Sequence, residues 1–463
     1  MQLDVDFISK VLGNAQMQNG PFPQESSFSV DTRSLQKGDV FVALQGGQVD
    51  GHDFILEALK KGASGFILSN VKKTELLQKF GQELSQKHLL FVDDTLQALI
   101  DLAKNWRSQF TYPVIGVTGS VGKTTTKEMI RNILKLTDMD YVVSFGNQNS
   151  LIGVSLNILK MRAHHQVAVF EVGISTRGSM QQLAELLRPT YAVIVKVGHG
   201  HMEGLGDLSS VAQEKRSIFS CFADRDIGVI NGDQAELSKI SYPHPVIRFG
   251  LKTTNQVQAR KIVVANNNTT FVAKIYNEKY SVILPTCNQA RVLNALAAIT
   301  VGYILKIPNE ILIKGVEQPV LVQGRFQIIS HPSGTVLIND AYNSNPDSAK
   351  ASLLALNSYE TDKSKVVVLG DMLELGVDSA FWHRQLGRFL NKVSNLHHVI
   401  LIGSHVQSTQ QALPLNIKST LFATYQDAHS LLKTMILEEN RVFLFKGSNS
   451  MGLCNLVDSV RDI

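Results

Sequence analysis

Short runs of apolar, often β-branched residues recur along this chain, separated by longer stretches in which apolar positions return every three or four residues. Runs of the first kind read as strands buried on both faces, and the stretches between them as helices that cover a sheet. Their alternation predicts an α/β fold with mainly parallel sheets. Strands are expected at 40–44, 114–118, 167–170, 191–197, 336–339, 365–369, 399–402 and 441–445, and helices at 54–61, 94–109, 288–305 and from Pro308 to 315. Residues 257–284 read instead as β-hairpins turning at Asn266-Asn267-Asn268, and Pro319 to Phe326 as a hinge. A chain of 463 residues is too long for one ordinary domain and points to two to four.

One stretch carries chemistry on its face. The strand at 114–118 ends in Thr118-Gly119-Ser120-Val121-Gly122-Lys123-Thr124-Thr125 and a helix follows, the strand-loop-helix setting of a phosphate-binding loop. Glycines at 119 and 122 let successive N–H groups close around phosphate oxygens at a helix N-terminus. Lys123 supplies a positive charge, and the Thr124 hydroxyl is placed for Mg2+. The strict GxxxxGK[ST] spacing is not met, because position 117 is valine. ATP binding is nonetheless the expectation.

Composition narrows the rest. Hydrophobic residues make up 44% and charged residues 18%, values of a soluble globular chain, and a net charge of +5 without a dense Lys/Arg block does not indicate nucleic acid. The three cysteines show no metal-binding spacing, so a reducing cytoplasm is expected. The opening Met-Gln-Leu-Asp-Val-Asp is acidic where an export signal would be basic, and no apolar run is long enough to span a membrane.

Ligands of open α/β sheets sit beyond the carboxyl ends of the strands. Glu171 ends the strand at 167–170, and Gly198-His199-Gly200-His201 follows the strand at 191–197, so these groups can converge with the phosphate loop. A carboxylate and an imidazole there can hold a divalent cation, although imidazole is an unusual Mg2+ ligand, and a strand-end acid bonded to a loop is the plain alternative. The polar loops at 45–53, 340–346, 370–376 and 446–448 mark further functional edges.

Taken together these residues carry a resemblance. The phosphate loop, Gly146-Asn147-Gln148-Asn149, Glu171-Val172-Gly173, His201-Met202-Glu203-Gly204, Gly324-Arg325-Phe326, Asp340-Ala341-Tyr342-Asn343-Ser344-Asn345-Pro346, Gly370-Asp371-Met372-Leu373-Glu374-Leu375-Gly376 and Lys446-Gly447-Ser448 recur in this order in the Mur ligases. Asp31-Thr32-Arg33 and the strand after Gly38-Asp39 fit as well. The chain most resembles the MurF type, which joins D-alanyl-D-alanine to UDP-N-acetylmuramoyl-tripeptide. The resemblance implies a UDP-substrate domain over 1–90, a central ATP-binding domain over 91–317 and a Rossmann-like domain over 318–463. It also implies an acyl phosphate made from ATP, two Mg2+ ions, a cytoplasmic monomer, and the UDP-tripeptide and D-alanyl-D-alanine as partners.

The same resemblance assigns roles residue by residue. Lys123 and Thr124 would hold the phosphates and one Mg2+, while Glu171, His201 and Lys215 would serve the second metal. Lys215 aligns with a lysine that this family carbamylates; on residue type alone it is a solvated helix lysine. Arg325 would reach the phosphates and Asp340 the ribose. Asp31, Thr32, Arg33, Asn147 and Asn149 would meet the UDP-substrate, and Lys446 and Ser448 the dipeptide. The chain departs from the family pattern at Ala290-Arg291, where a His-Asn pair approaches adenine, and Arg291 could stack on the base instead. It also departs at Ser150, at Ser155, and at Lys196, where asparagine is common. The rival readings are another Mur-like ligase, such as a folylpolyglutamate synthetase, and a phosphate-loop binding protein without ligase activity.

Overall fold

The computed structural model describes residues 5–461 apart from 14, 21, 24–26, 48 and 439. Residues 1–4, part of the stretch read as lacking an export signal, and position 48 of the loop at 45–53 lie outside the described residues. Three sheets follow one another along the chain, each with helices on its faces, and together they form a three-domain α/β fold.

The first sheet has five strands, four of them parallel, with the short Gln16–Gln18 antiparallel on one edge. Helix Thr95–Arg107 then joins it to the second sheet. Asp94 starts that helix by accepting the N–H groups of Leu96 and Gln97, which its position in the sequence foreshadowed. The helix buries Trp106, whose ring meets Phe7 and Phe110 edge-on and whose indole N–H donates to the Met161 carbonyl at 3.1 Å. Side chains of both domains therefore share one apolar cluster.

The nine-stranded second sheet holds Val114–Thr118 third from one edge, paired in parallel with Val167–Glu171 on one side and Tyr191–Ile194 on the other. Val257–Ala265, Asn268–Ile275 and Glu278–Leu284 extend its far edge as antiparallel hairpins. Asn266 and Asn267 take φ of 50° and 58° in the tight turn that the three asparagines announced. The strand expected over 191–197 stops at Ile194. Beyond it the backbone leaves the ladder: the Lys196 carbonyl accepts from Ser120 N–H at 2.7 Å, and Val197 N–H donates to the Gln234 side chain. The helix expected from 288 begins at Arg291, because Asn288 spends its side chain on the Ala290 N–H in a preceding turn.

The third sheet has six strands, five parallel and Gln327–Ser330 antiparallel at the edge. Helix Pro346–Ser358 opens with proline in its first turn and a reciprocal cap between Asn345 and Ser348. The carboxyl ends of the second and third sheets face each other across a crevice. Among the described residues no helix is long and apolar enough to cross a membrane.

Candidate functional site

The crevice is built on the loop between Val114–Thr118 and helix Lys123–Leu134. Gly122 adopts φ of 91°, and a Cβ there would stand 2.4 Å from the Asn294 Oδ1, so only glycine fits both the turn and its neighbour. Lys123 folds back so that its ammonium donates to the Gly119 carbonyl at 2.9 Å. Burial lowers its pKa, with Glu171 opposing that shift in part. Thr118, Thr124 and Thr125 are buried, and the Thr118 hydroxyl has no partner.

A cavity of about 520 Å3 lies over this loop, lined by Lys123, Asn149, Glu171 and His201 from the central domain and by Arg325 and Glu374 from beyond the hinge. Glu171 is fully buried. One of its oxygens accepts from the Asn149 amide at 2.7 Å, and the other has no partner. Arg325 reaches the Thr124 hydroxyl at 3.4 Å, a weak contact, and its guanidinium lies 4.0 Å over the Tyr342 ring. His201 pairs across the crevice with Glu374 at 2.7 Å, which holds that carboxylate below its usual range.

The structure thus brings together Lys123, Thr124, Glu171, His201 and Arg325. A divalent cation fits here in its chemistry: Glu171 has a buried oxygen to give, and Thr124 a hydroxyl. Among the described residues no group of three or more His, Cys, Asp or Glu side chains gathers as a metal site. A cation would therefore depend on one carboxylate, a hydroxyl and phosphate oxygens, as Mg2+ beside nucleotides does.

Lys215 overturns the residue-type expectation of a solvated lysine. It is 1% exposed on helix Leu208–Arg216, and burial lowers its pKa well below the usual lysine range, helped by the charge of Lys123 and opposed by Glu214. Glu214 itself accepts the N–H groups of Gly178 and Met180, at 3.0 and 2.8 Å. The periodicity does contain this result. Leu208, Val211, Ala212 and Lys215 share the spacing of one helix face, and that face is the one turned toward the core.

Four residues expected to meet ligands are engaged within the protein instead. Asp340 does not line the crevice: one carboxylate oxygen accepts the Phe326 N–H at 2.9 Å, and the other meets Ser352 and, at 3.1 Å, the Lys446 ammonium. Lys446 is buried and also donates to the carbonyls of Asp340 and Asn343, so it braces the loop that carries Tyr342 and is not open to a dipeptide in this arrangement. Ser448 likewise spends its hydroxyl on the Leu373 N–H. Burial forces these polar groups to satisfy one another. Arg291, a candidate for stacking on adenine, is buried and donates to the Arg325 carbonyl at 2.7 Å. Asp31 and Arg33 form an exposed ion pair at 2.6 Å, Thr32 gives its carbonyl to Lys61, and Asn147 lines a neighbouring cavity of about 750 Å3 between the domains.

Sequence reasoning gave no role to Lys127, Tyr342, Asp347 or Glu374. Lys127 is fully buried and donates to the carbonyls of Ser144 and Gly146, which fixes the loop leading to Asn147 and Asn149. Its signal was a lysine on the inward face of the phosphate-loop helix. Tyr342 and Glu374 lie in quoted motifs, and Asp347 follows directly on one of them.

Known proteins resemble this chain over nearly its whole length. The Mur ligase family, catalytic domain matches residues 26–107, the Mur ligase middle domain 117–302, and the Mur ligase, glutamate ligase domain 324–449. A UDP-N-acetylmuramoyl-tripeptide--D-alanyl-D-alanine ligase of Bacillus subtilis is 31% identical over 93% of this chain and 92% of its own length. The chain belongs to the Mur ligase family. Among solved structures, MurF from Acinetobacter baumannii superposes with a TM-score of 0.83 at 27% identity, covering 100% of this chain and 99% of that one. MurF ligase from Thermotoga maritima in complex with ADP gives 0.77 at 26% identity, covering 94% and 97%. As a Mur ligase, the chain places its phosphate loop, Glu171 and Arg325 where the central and carboxyl-terminal domains meet.

Proposed function

We propose that this chain is the ATP-dependent ligase that joins D-alanyl-D-alanine to UDP-N-acetylmuramoyl-tripeptide, giving the UDP-pentapeptide precursor of peptidoglycan with release of ADP and phosphate. The observation that carries it is the crevice itself. A phosphate loop and an unpartnered, buried carboxylate oxygen on Glu171 face an arginine delivered from the next domain. The names of its full-length relatives supply the substrates.

A carboxylate is a poor acyl donor. In the proposed reaction one of its oxygens attacks the γ-phosphorus of ATP, the bond to ADP breaks, and an acyl phosphate forms. The dipeptide amine then attacks the acyl carbon, phosphate leaves, and the amine gives up a proton. Such transfers need positioning and charge neutralisation more than covalent help. Lys123 would leave the Gly119 carbonyl for the phosphates, Arg325 would approach them from above Tyr342, and Asn149 would keep Glu171 aimed. Bound at Thr124 and at Glu171 with His201, two Mg2+ ions would supply charge neutralisation and Lewis acidity. Lys215, whose amine burial favours in its neutral form, would add carbon dioxide and lose a proton to bear a carbamate, which would offer oxygen atoms where an ammonium could not. Thr118, Gly119, Ser120, Val121, Gly122 and Thr125 would complete the phosphate cradle. Asp31, Thr32, Arg33 and Asn147 would serve the UDP-substrate, and Asp340 would act through the hinge it anchors. All of these residues come from one chain, in keeping with a monomer, and dependence on ATP suits the cytoplasm.

An omission series tests the reading. Phosphate release is expected only when ATP, Mg2+, the UDP-tripeptide and D-alanyl-D-alanine are all present, with either diaminopimelate or lysine as third residue of the tripeptide. Release that ignores the dipeptide would leave a phosphate-loop hydrolase in its place. Release driven by glutamate and a folate would favour the other ligase type.

A further inference from the structure

One carboxyl-terminal side chain is seated against the loop that follows strand Tyr191–Ile194. Asp347 stands in the first turn of helix Pro346–Ser358, where a carboxylate is favoured by the helix dipole. Its Oδ2 accepts the His199 backbone N–H at 2.9 Å and lies 3.1 Å from the His199 Nδ1, while its Oδ1 lies 3.3 Å from the Lys196 ammonium. The approach is close. A Cβ on Gly198 would stand 2.6 Å from the Asp347 Oδ2, so a side chain at 198 would push the two domains apart.

The same loop grips the phosphate loop from its other side. Ser120 N–H donates to the Lys196 carbonyl at 2.7 Å, and the Ser120 hydroxyl donates to the Gly198 carbonyl at 2.9 Å and accepts the Gly198 N–H at 3.0 Å. Residues 196 to 199 are therefore held between Asp347 and Ser120. Lysine at 196 makes one of the interdomain contacts an ion pair.

We propose that Asp347 is a positioning residue for phosphoryl transfer: docking of the carboxyl-terminal domain seats it on residues 196–199 and so fixes Ser120 and the phosphate loop around the polyphosphate. It touches no reacting atom. The chemical step it serves rests on the ligase reading above; the contact between the domains does not. Charge-assisted hydrogen bonds to a backbone N–H and an ammonium are strong and directional, which suits a contact that must form once per turnover.

The test uses the full chain with Asp347→Ala, Asp347→Asn and Lys196→Met. Small-angle scattering reads compaction on adding a non-hydrolysable ATP analogue with Mg2+, and kinetics read kcat and KM for the UDP-tripeptide. In Asp347→Ala, kcat is expected to fall by about 100-fold, the scale of a small misplacement at a reacting centre, with the tripeptide KM nearly unchanged and compaction lost. Asp347→Asn can still accept the His199 N–H, so it is expected to compact and to lose about tenfold, one charge-assisted bond's worth. Lys196→Met is expected to lose less than Asp347→Ala. Wild-type kcat in Asp347→Ala, or a loss of kcat with wild-type compaction, would overturn the proposal. Compaction is read without the dipeptide. A wild type that compacts but does not ligate, beside an Asp347→Ala that does neither, would sink the ligase reading and leave the positioning contact standing.

Discussion

Replacing Lys215 by alanine is expected to lower kcat on the order of 1000-fold, and acetate or propionate to restore part of the loss. A lysine with 1% exposure, subject to the charge of Lys123 and with its neighbour Glu214 engaged by two backbone N–H groups, is costly as an ammonium. As a carbamate it carries oxygens and a negative charge, which complement Lys123 and suit Mg2+. Alanine removes that anion and leaves a shaped space that a small carboxylate can enter. The measurement is kcat at saturating ATP and fixed Mg2+, with and without the added acid, alongside a melting curve. Unchanged turnover would show that no functional anion sits at Lys215. If the lysine stayed an ammonium, its removal would relieve repulsion from Lys123, and turnover would hold or rise.

Lys123→Ala is expected to cost at least about 1000-fold in kcat while the UDP-substrate binds nearly as before. The ammonium already lies over the phosphate loop, on the Gly119 carbonyl, and is the loop's own positive charge. Binding of the UDP-tripeptide, followed by calorimetry without ATP, draws on other residues and checks that the fold survives. Turnover near wild type would mean that the nucleotide lies elsewhere; joint loss of both would mean that the two substrates do not occupy separable sites.

Local chemistry made much of this molecule legible before any coordinates. Gly122 beside Lys123 and three asparagines in a hairpin turn each dictate backbone over a few residues, and both are found as read. Glu171 was legible as a strand end, and the structure adds that one of its oxygens lacks a partner. What local pattern could not carry is burial decided across domains. Lys446 reads as a polar strand-end residue, yet it is enclosed by Asp340 and Asn343, more than a hundred residues away in the chain. Arg291 opens a helix and looks free to meet a base, but the Arg325 carbonyl takes its guanidinium. Asp347 follows a proline as any helix-starting acid might, and only the meeting of two sheets gives it His199 and Lys196. The helix of Lys215 is the instructive case, because the stripe was present in the sequence and the charge of lysine hid it.

The acyl phosphate is the centre of this account, and isotope transfer tests it most directly. The UDP-tripeptide is labelled with 18O in both oxygens of its terminal carboxylate and converted with ATP, Mg2+ and D-alanyl-D-alanine, and the phosphate and product are then weighed by mass spectrometry. The account predicts one 18O in each phosphate released and one retained in the new amide. Ligation with no 18O in the phosphate would contradict it, because the carboxylate oxygen would then never have been bonded to phosphorus.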